Sequence, residues 1–158
     1  MIVATFSVEM IPQVMRLMEL GSPYIRVRTE SDYWLYASLF SSTCPVALID
    51  GKVAGAIIAF RSQDNPDDVY IQDVMTDPAH RKQGIARTLV AHLHDRAREW
   101  GCDRIYLTSE PDNLAARAAW ESLGFRNVTG DYAIDGVSVI KDFKGPGKDR
   151  AAYQLHIR

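Results

Sequence analysis

The chain has 158 residues, 47% hydrophobic and 24% charged, which is the composition of one ordinary globular domain spanning residues 1–158. A net charge of −2 and a pI near 6.1 argue against a nucleic-acid partner, which calls for a basic face, and leave room for a local basic pocket. No apolar run is long enough to cross a bilayer and no basic-then-apolar leader opens the chain, so the expected setting is the cytoplasm, with no membrane partner.

Residues 2–8 read as a first strand. Ile11, Val14, Met15 and Met18 recur at helical spacing, with Pro12 in the first turn and Gly21-Ser22-Pro23 as the stop. Thr29-Glu30-Ser31-Asp32 opens a second helix carrying Tyr33, Tyr36, Leu39 and Phe40. Residues 45–49 and 53–60 are rich in strand formers, and Asp50-Gly51 joins them as a hairpin. A polar loop over 62–68 precedes a strand over 69–76. Between Gly84 and Gly101, the residues Ile85, Leu89, Leu93, Ala97 and Trp100 mark a helix with one buried stripe. A strand over 104–108, a short helix over 113–123 closed by Gly124, and strands over 125–128 and 153–157 complete the order. The hairpin favours antiparallel pairing, and the strand–helix–strand unit is long enough for a parallel crossover. The fold class is therefore α/β (α+β), a mixed sheet with helices on both faces. Cys44 and Cys102 form no C-x-x-C and are expected to be buried, reduced thiols.

The densest chemical signal is Arg81-Lys82-Gln83-Gly84-Ile85-Ala86, between a strand and a helix. The first N–H groups of a helix have no intrahelical partner and carry the positive end of its dipole, so they suit a pyrophosphate. Gly84 and Ala86 let a ligand approach the backbone, while Arg81, Lys82 and Arg87 add charge. The competing reading is a solvated, capped helix start. The histidines suggest no metal site: His92 and His94, two apart on one helix, cannot share an ion. Gly145-Pro146-Gly147-Lys148 lacks the outer Gly and the Ser/Thr of a phosphate loop and reads as a flexible hairpin loop.

Val74-x-x-Asp77-Pro78-x-x-Arg81-x-x-Gly84-x-Ala86, then Asn113-x-x-Ala116, then Leu123-Gly124-Phe125, resembles the GNAT superfamily of acetyl-CoA-dependent N-acetyltransferases. The resemblance implies a mostly antiparallel central sheet with a splayed strand pair that holds acetyl-CoA. It implies that Val74, Met75 and Thr76 pair with the pantetheine arm. The pyrophosphate would lie on the amides of Lys82, Gln83, Gly84, Ile85, Ala86 and Arg87, with Arg81 and Thr88 adding polar contacts. Asn113, Ala116 and Trp120 share one helix face, which the resemblance sets beside the cofactor arm; a helix cap is the competing role of Asn113.

Two positions depart from the family pattern. Trp120 stands where many members carry a tyrosine acid; an indole has a donor N–H but no acidic proton, so it would position rather than protonate. Gln72 stands where many carry a glutamate base. Asp73 can take a proton, but adjacent strand residues face opposite sides, so it reaches an acceptor only through a local bulge. A structural carboxylate, with water as the proton acceptor, is the competing reading.

The acceptor side falls between the first two helices and the loop over 130–147, where Tyr24, Arg26, Arg28, Tyr33 and Tyr36 gather and Gln72 points to binding. Ser22-Pro23-Tyr24, Thr43-Cys44 and Asn65-Pro66-Asp67 faintly resemble the diaminobutyrate acetyltransferases. Tyr70-Ile71-x-Asp73 faintly resembles the aminoglycoside and streptothricin enzymes. Neither names a substrate. The expected activity is direct acetyl transfer to a small-molecule amine in a ternary complex. The alternatives are a catalytically silent acyl-CoA sensor or a protein N-acetyltransferase. A homodimer is left open.

Overall fold

Alternating apolar residues send side chains to both faces of a sheet, and each face here recruits its own helices. The computed structural model describes residues 1–157. Strand β1 (Ile2–Thr5) leads through a short 3-10 turn into helices α1 (Ile11–Glu19) and α2 (Glu30–Leu39). Strands β2 (Pro45–Ile49), β3 (Lys52–Arg61) and β4 (Asp68–Thr76) follow, then α3 (Ile85–Glu99), β5 (Arg104–Ser109) and α4 (Leu114–Ser122). Four short strands close the chain: β6 (Arg126–Asn127), β7 (Tyr132–Ile134), β8 (Val137–Val139) and β9 (Ala151–His156). The main sheet runs β1-β2-β3-β4-β5-β9-β6, and β7 pairs with β8 apart from it. Among the described residues of the main sheet only β4 and β5 are parallel, joined by α3 as the crossover.

On one face Ile57, Ala59, Val69, Ile71, Ile105 and Leu107 pack with the α3 stripe Ile85, Leu89, Leu93 and Ala97. On the other, Val46, Ala56 and Ile58 pack with Val14, Leu17 and Met18 of α1 and with Tyr33 and Tyr36 of α2. Both thiols are buried: Cys44 donates to the Ala59 carbonyl at 3.5 Å and Cys102 to that of Pro66 at 3.4 Å. Burial pushes the Cys44 thiol up to about 12, so it is not a nucleophile at neutral pH.

Local signals hold where the chemistry is local. Thr29 and Asp32 form a capping box at the start of α2. Asp50 and Gly51 turn with φ of 50° and 75°, the geometry of a tight hairpin. Three expectations need correcting. The strand over 2–8 stops at Thr5, because residues 8–10 wind into a 3-10 turn. Leu39 is 63% exposed and Ala37 is buried instead, because α2 is apolar almost all round and its sequence cannot say which stripe faces the sheet. The strand over 125–128 shrinks to two residues, and the loop after it contains the β7–β8 hairpin. Its Asp135-Gly136 turn, with φ of 50° and 80°, is a hairpin signal legible in the sequence itself.

Candidate active site

The site begins where two parallel strands part. β4 and β5 pair from Asp68↔Arg104 to Tyr70↔Tyr106. An ion pair clamps the closed end: Arg104 Nε and Nη2 donate to the two Asp68 carboxylate oxygens at 2.9 and 3.1 Å. Tyr70 and Tyr106 pack across the last paired step, with ring centroids 5.1 Å apart. Beyond them β5 follows β9 while β4 follows β3 to Thr76. Among the described residues no strand lies beside the β5-facing edge of β4 from Ile71 onward. Its free N–H and C=O groups suit an added extended chain, and Val74, Met75 and Thr76 sit in it.

β4 runs straight into the basic turn. Asp77 N donates to the Ala54 carbonyl at 2.8 Å, and its carboxylate accepts from Ala79 N at 2.9 Å. Lys82 and Gly84 both take left-handed backbone, with φ of 65° and 72°, and α3 starts at Ile85. A Cβ at Gly84 would meet nothing within 4 Å, so the space before the first N–H groups of α3 is open and fits a phosphate. Gly55 of β3 seats the helix: a Cβ there would come within 2.5 Å of Ile85 Cγ2. Arg81, Lys82 and Gln83 are exposed beside the turn. Ala86 is half-buried. Two neighbours are engaged elsewhere. Thr88 donates its hydroxyl to the Gly84 carbonyl at 2.9 Å, and Arg87 reaches across to the Ser122 carbonyl at 3.1 Å.

Helix α4 lies past the end of β5. Asn113 caps it, its Oδ1 accepting from Ala116 N at 3.2 Å. Trp120 is half-buried against Phe125, with centroids 5.8 Å apart, and its Nε1 donates to Ser109 Oγ at 3.1 Å. That bond uses the one proton an indole can donate.

The opposite face of β4 is reshaped by a bulge. Ile58 pairs with Asp73 and Ala59 with Ile71, leaving Gln72 as an extra residue. Before it, Val69 and Ile71 face α3; after it, Val74 faces α3 and Met75 faces α1 and α2. The parity change turns Gln72 and Asp73 both toward α2. Gln72 Nε2 donates to Tyr36 Oη at 3.2 Å. Asp73 is only 9% exposed, and its Oδ2 is buried with no hydrogen-bond partner. Burial raises its pKa above the usual carboxylate value, opposed by Arg28, the Gln72 side chain and Lys144.

The other expected acceptor residues divide. Tyr24 and Arg26 are exposed on the α1–α2 connection. Tyr33 is a core residue, fully buried, with ring centroids 6.5 Å from Phe6 and 5.5 Å from Tyr36; its hydroxyl accepts from Arg28 N at 3.5 Å. Three residues here escaped the sequence reading: Ser109, Tyr106 and Lys144. Lys144 stands 4.5 Å over the Tyr70 ring and donates to the Tyr70 hydroxyl. The adjoining Gly145-Pro146-Gly147 announced a loop but not which strand it would cover.

Residues 13–125 match the acetyltransferase (GNAT) family. Over 94 residues the chain is 31% identical to an L-2,4-diaminobutyric acid acetyltransferase of Nocardia farcinica, covering 60% of this chain and 49% of that protein. Over 80 residues it is 34% identical to a ribosomal protein bS18-alanine N-acetyltransferase of Escherichia coli, covering 51% and 52%. The chain thus spans about half the length of these curated relatives. In structure it is similar to a diaminobutyrate acetyltransferase from Paenibacillus lautus, solved with L-2,4-diaminobutyric acid and coenzyme A. That match has a TM-score of 0.76 at 24% identity and covers 98% of this chain and 93% of that one. A family match over well more than half of the residues, on a sheet whose parallel pair opens beside a glycine-led helix start, places this chain in the GNAT acetyltransferase family.

Proposed function

We propose that this chain moves the acetyl group of acetyl-CoA to a primary amine of a small molecule, by direct attack in a ternary complex. One observation carries the reading: a bulge sets a buried carboxylate with a free oxygen, Asp73, on the strand whose open edge suits the cofactor arm. When bound, acetyl-CoA supplies an activated thioester. The open β4 edge at Val74, Met75 and Thr76 would hold its arm. The amides from Lys82 to Arg87 and the exposed Arg81 and Lys82 would hold its phosphates, and the Asn113–Trp120 face of α4 would flank it.

The residues on the other side prepare the amine. An amine titrates near 10, so at neutral pH it arrives as an ammonium without a nucleophilic lone pair. The Asp73 carboxylate accepts one of its protons, and burial makes this carboxylate a better proton acceptor than a solvated one. The amine nitrogen would then bond to the acetyl carbon as the carbon–sulfur bond breaks, its second proton passing to the departing thiolate or to water. A thiolate with a pKa close to a cysteine's roughly 8.5 leaves without an acid. Trp120 is a positioning residue, since its N–H is bound to Ser109.

That same bond favours a second reading, a sensor that binds acetyl-CoA without turnover. Release of free CoA, measured with amino acids, polyamines, aminoglycosides and peptides, separates the two. Turnover of a small amine is the expected result. Binding of acetyl-CoA with no release across the panel would overturn the catalytic reading. Turnover of peptides alone would move the acceptor to a protein terminus.

A further inference from the structure

We propose that the acceptor amine also carries a carboxylate, and that Arg28 and Lys144, the two cations around Asp73, hold this carboxylate. The inference rests on the α2 face of β4 being the acceptor side.

Two cations reach this face from opposite ends of the chain. Arg28 ends the α1–α2 connection, fixed by its own N–H on the Tyr33 hydroxyl and by the Thr29 cap that follows it. Lys144 comes from the β8–β9 loop, which is held by its own hydrogen bonds. Asp142 Oδ1 accepts from Gly147 N at 2.7 Å, and Asp149 Oδ1 accepts from Asp142 N at 2.9 Å. Lys144 N donates to the Lys148 carbonyl at 3.2 Å, and Lys141 N to Asp131 Oδ2 at 2.8 Å. Asp131, Asp142 and Asp149 thus serve the backbone of this loop and the Tyr132 hydroxyl, while the Lys144 ammonium is laid on Tyr70, two residues before the bulge. Both cations act on the charge of Asp73.

The charges select a ligand. Two cations act on one carboxylate, so the surroundings of Asp73 carry an excess of positive charge. A simple diamine brings a second ammonium and meets Arg28 and Lys144 with repulsion. An amino acid side-chain amine matches: its ammonium meets the Asp73 carboxylate and its carboxylate meets the cations.

The test uses matched pairs that differ only in the carboxylate: L-2,4-diaminobutyrate with 1,3-diaminopropane, L-ornithine with putrescine, and L-lysine with cadaverine. Free-CoA release gives kcat/KM for each. The expected result is a preference of at least about tenfold for the carboxylated member of at least one pair, since a charge-assisted contact is lost without it. In Arg28→Gln and Lys144→Gln, that ratio should fall toward one, chiefly through KM. Lys148→Gln, on the same loop, should leave it unchanged. Equal turnover of both members in every pair would overturn the clamp and leave the small-amine reading standing, as would a ratio insensitive to both substitutions. Turnover of peptides with none of the six compounds would overturn the small-amine reading and the clamp with it.

Discussion

The two faces of β4 are built in opposite ways. Toward α3 and the basic turn, binding geometry comes from backbone: an unpaired strand edge and the first amides of α3, all within one short stretch of chain. Toward α2, it comes from side chains: Arg28, Tyr36, Gln72, Asp73 and Lys144, gathered from the α1–α2 connection, α2, the bulge and the β8–β9 loop. Backbone amides tolerate sequence change and bind a constant ligand. Assembled side chains can be exchanged singly, which suits the half of a site where acceptors differ. Substitutions that strike one face and spare the other test this division.

The largest effect is expected at Asp73. Asp73→Asn should lower kcat by about a hundred- to ten-thousandfold, the usual worth of a general base, and barely move acetyl-CoA affinity. The wild-type rate should rise with pH as Asp73 ionises, and this acid limb should vanish in the Asn variant. Lys144→Gln, which removes a cation that holds the Asp73 pKa down, should move the limb to higher pH. Stability should change the other way. Burial raises the folded pKa of Asp73 above the ordinary carboxylate value, so ionising it opposes folding. Asn should therefore be more stable above the folded pKa, with the gain fading as pH falls into the ordinary carboxylate range. Pre-steady-state rates and thermal melts across pH measure both. A folded Asn variant with an unaltered pH profile would return Asp73 to a structural role.

Next comes Gly84. Gly84→Asp should weaken acetyl-CoA binding roughly a hundredfold or more by setting a negative charge before the α3 amides. Gly84→Ala is the control. It has room for a Cβ and carries only the strain of a left-handed backbone, about 1 kcal/mol, so its binding loss should be far smaller. Calorimetry of both variants separates charge from backbone geometry, and equal losses would deny the turn its anion.

Trp120→Ala should cost about 2 kcal/mol of stability and weaken acetyl-CoA binding, because the contact with Phe125 is lost and a cavity is left. Trp120→Phe keeps most of that packing and gives up only the bond to Ser109, so most of the turnover should survive. A Phe variant that folds, binds acetyl-CoA normally and loses a thousandfold in rate would give the indole N–H a part in the chemistry.

The smallest effect is expected at Tyr36. Tyr36→Phe removes the hydroxyl that accepts from Gln72, a bond worth about 1 kcal/mol, and should lower kcat less than tenfold. The affinity for acetyl-CoA, on the other face, should not move; if it does, the two faces are coupled through the bulge.

What the sequence determined by itself was everything set within a turn or two of chain. The capping box at Thr29, the Asp50-Gly51 hairpin, the α3 stripe and the glycine-led start of α3 follow from φ preferences, periodicity and unpaired amides, which neighbouring residues decide. The family pattern from Val74 to Phe125 falls in the same class. Tertiary structure decided the rest. Gln72 and Asp73 read as residues of opposite faces until the pairing of β4 with β3 placed a bulge between them, and that offset belongs to two strands at once. The aromatic residues of α2 were visible, but which lie inside depends on the sheet they meet: Tyr33 became core and Leu39 surface. Lys144 lies far from Tyr70 along the chain, and only the closing of β9 against β5 brings its loop over β4. Contacts between distant segments depend on how whole elements pack, and no local preference encodes them.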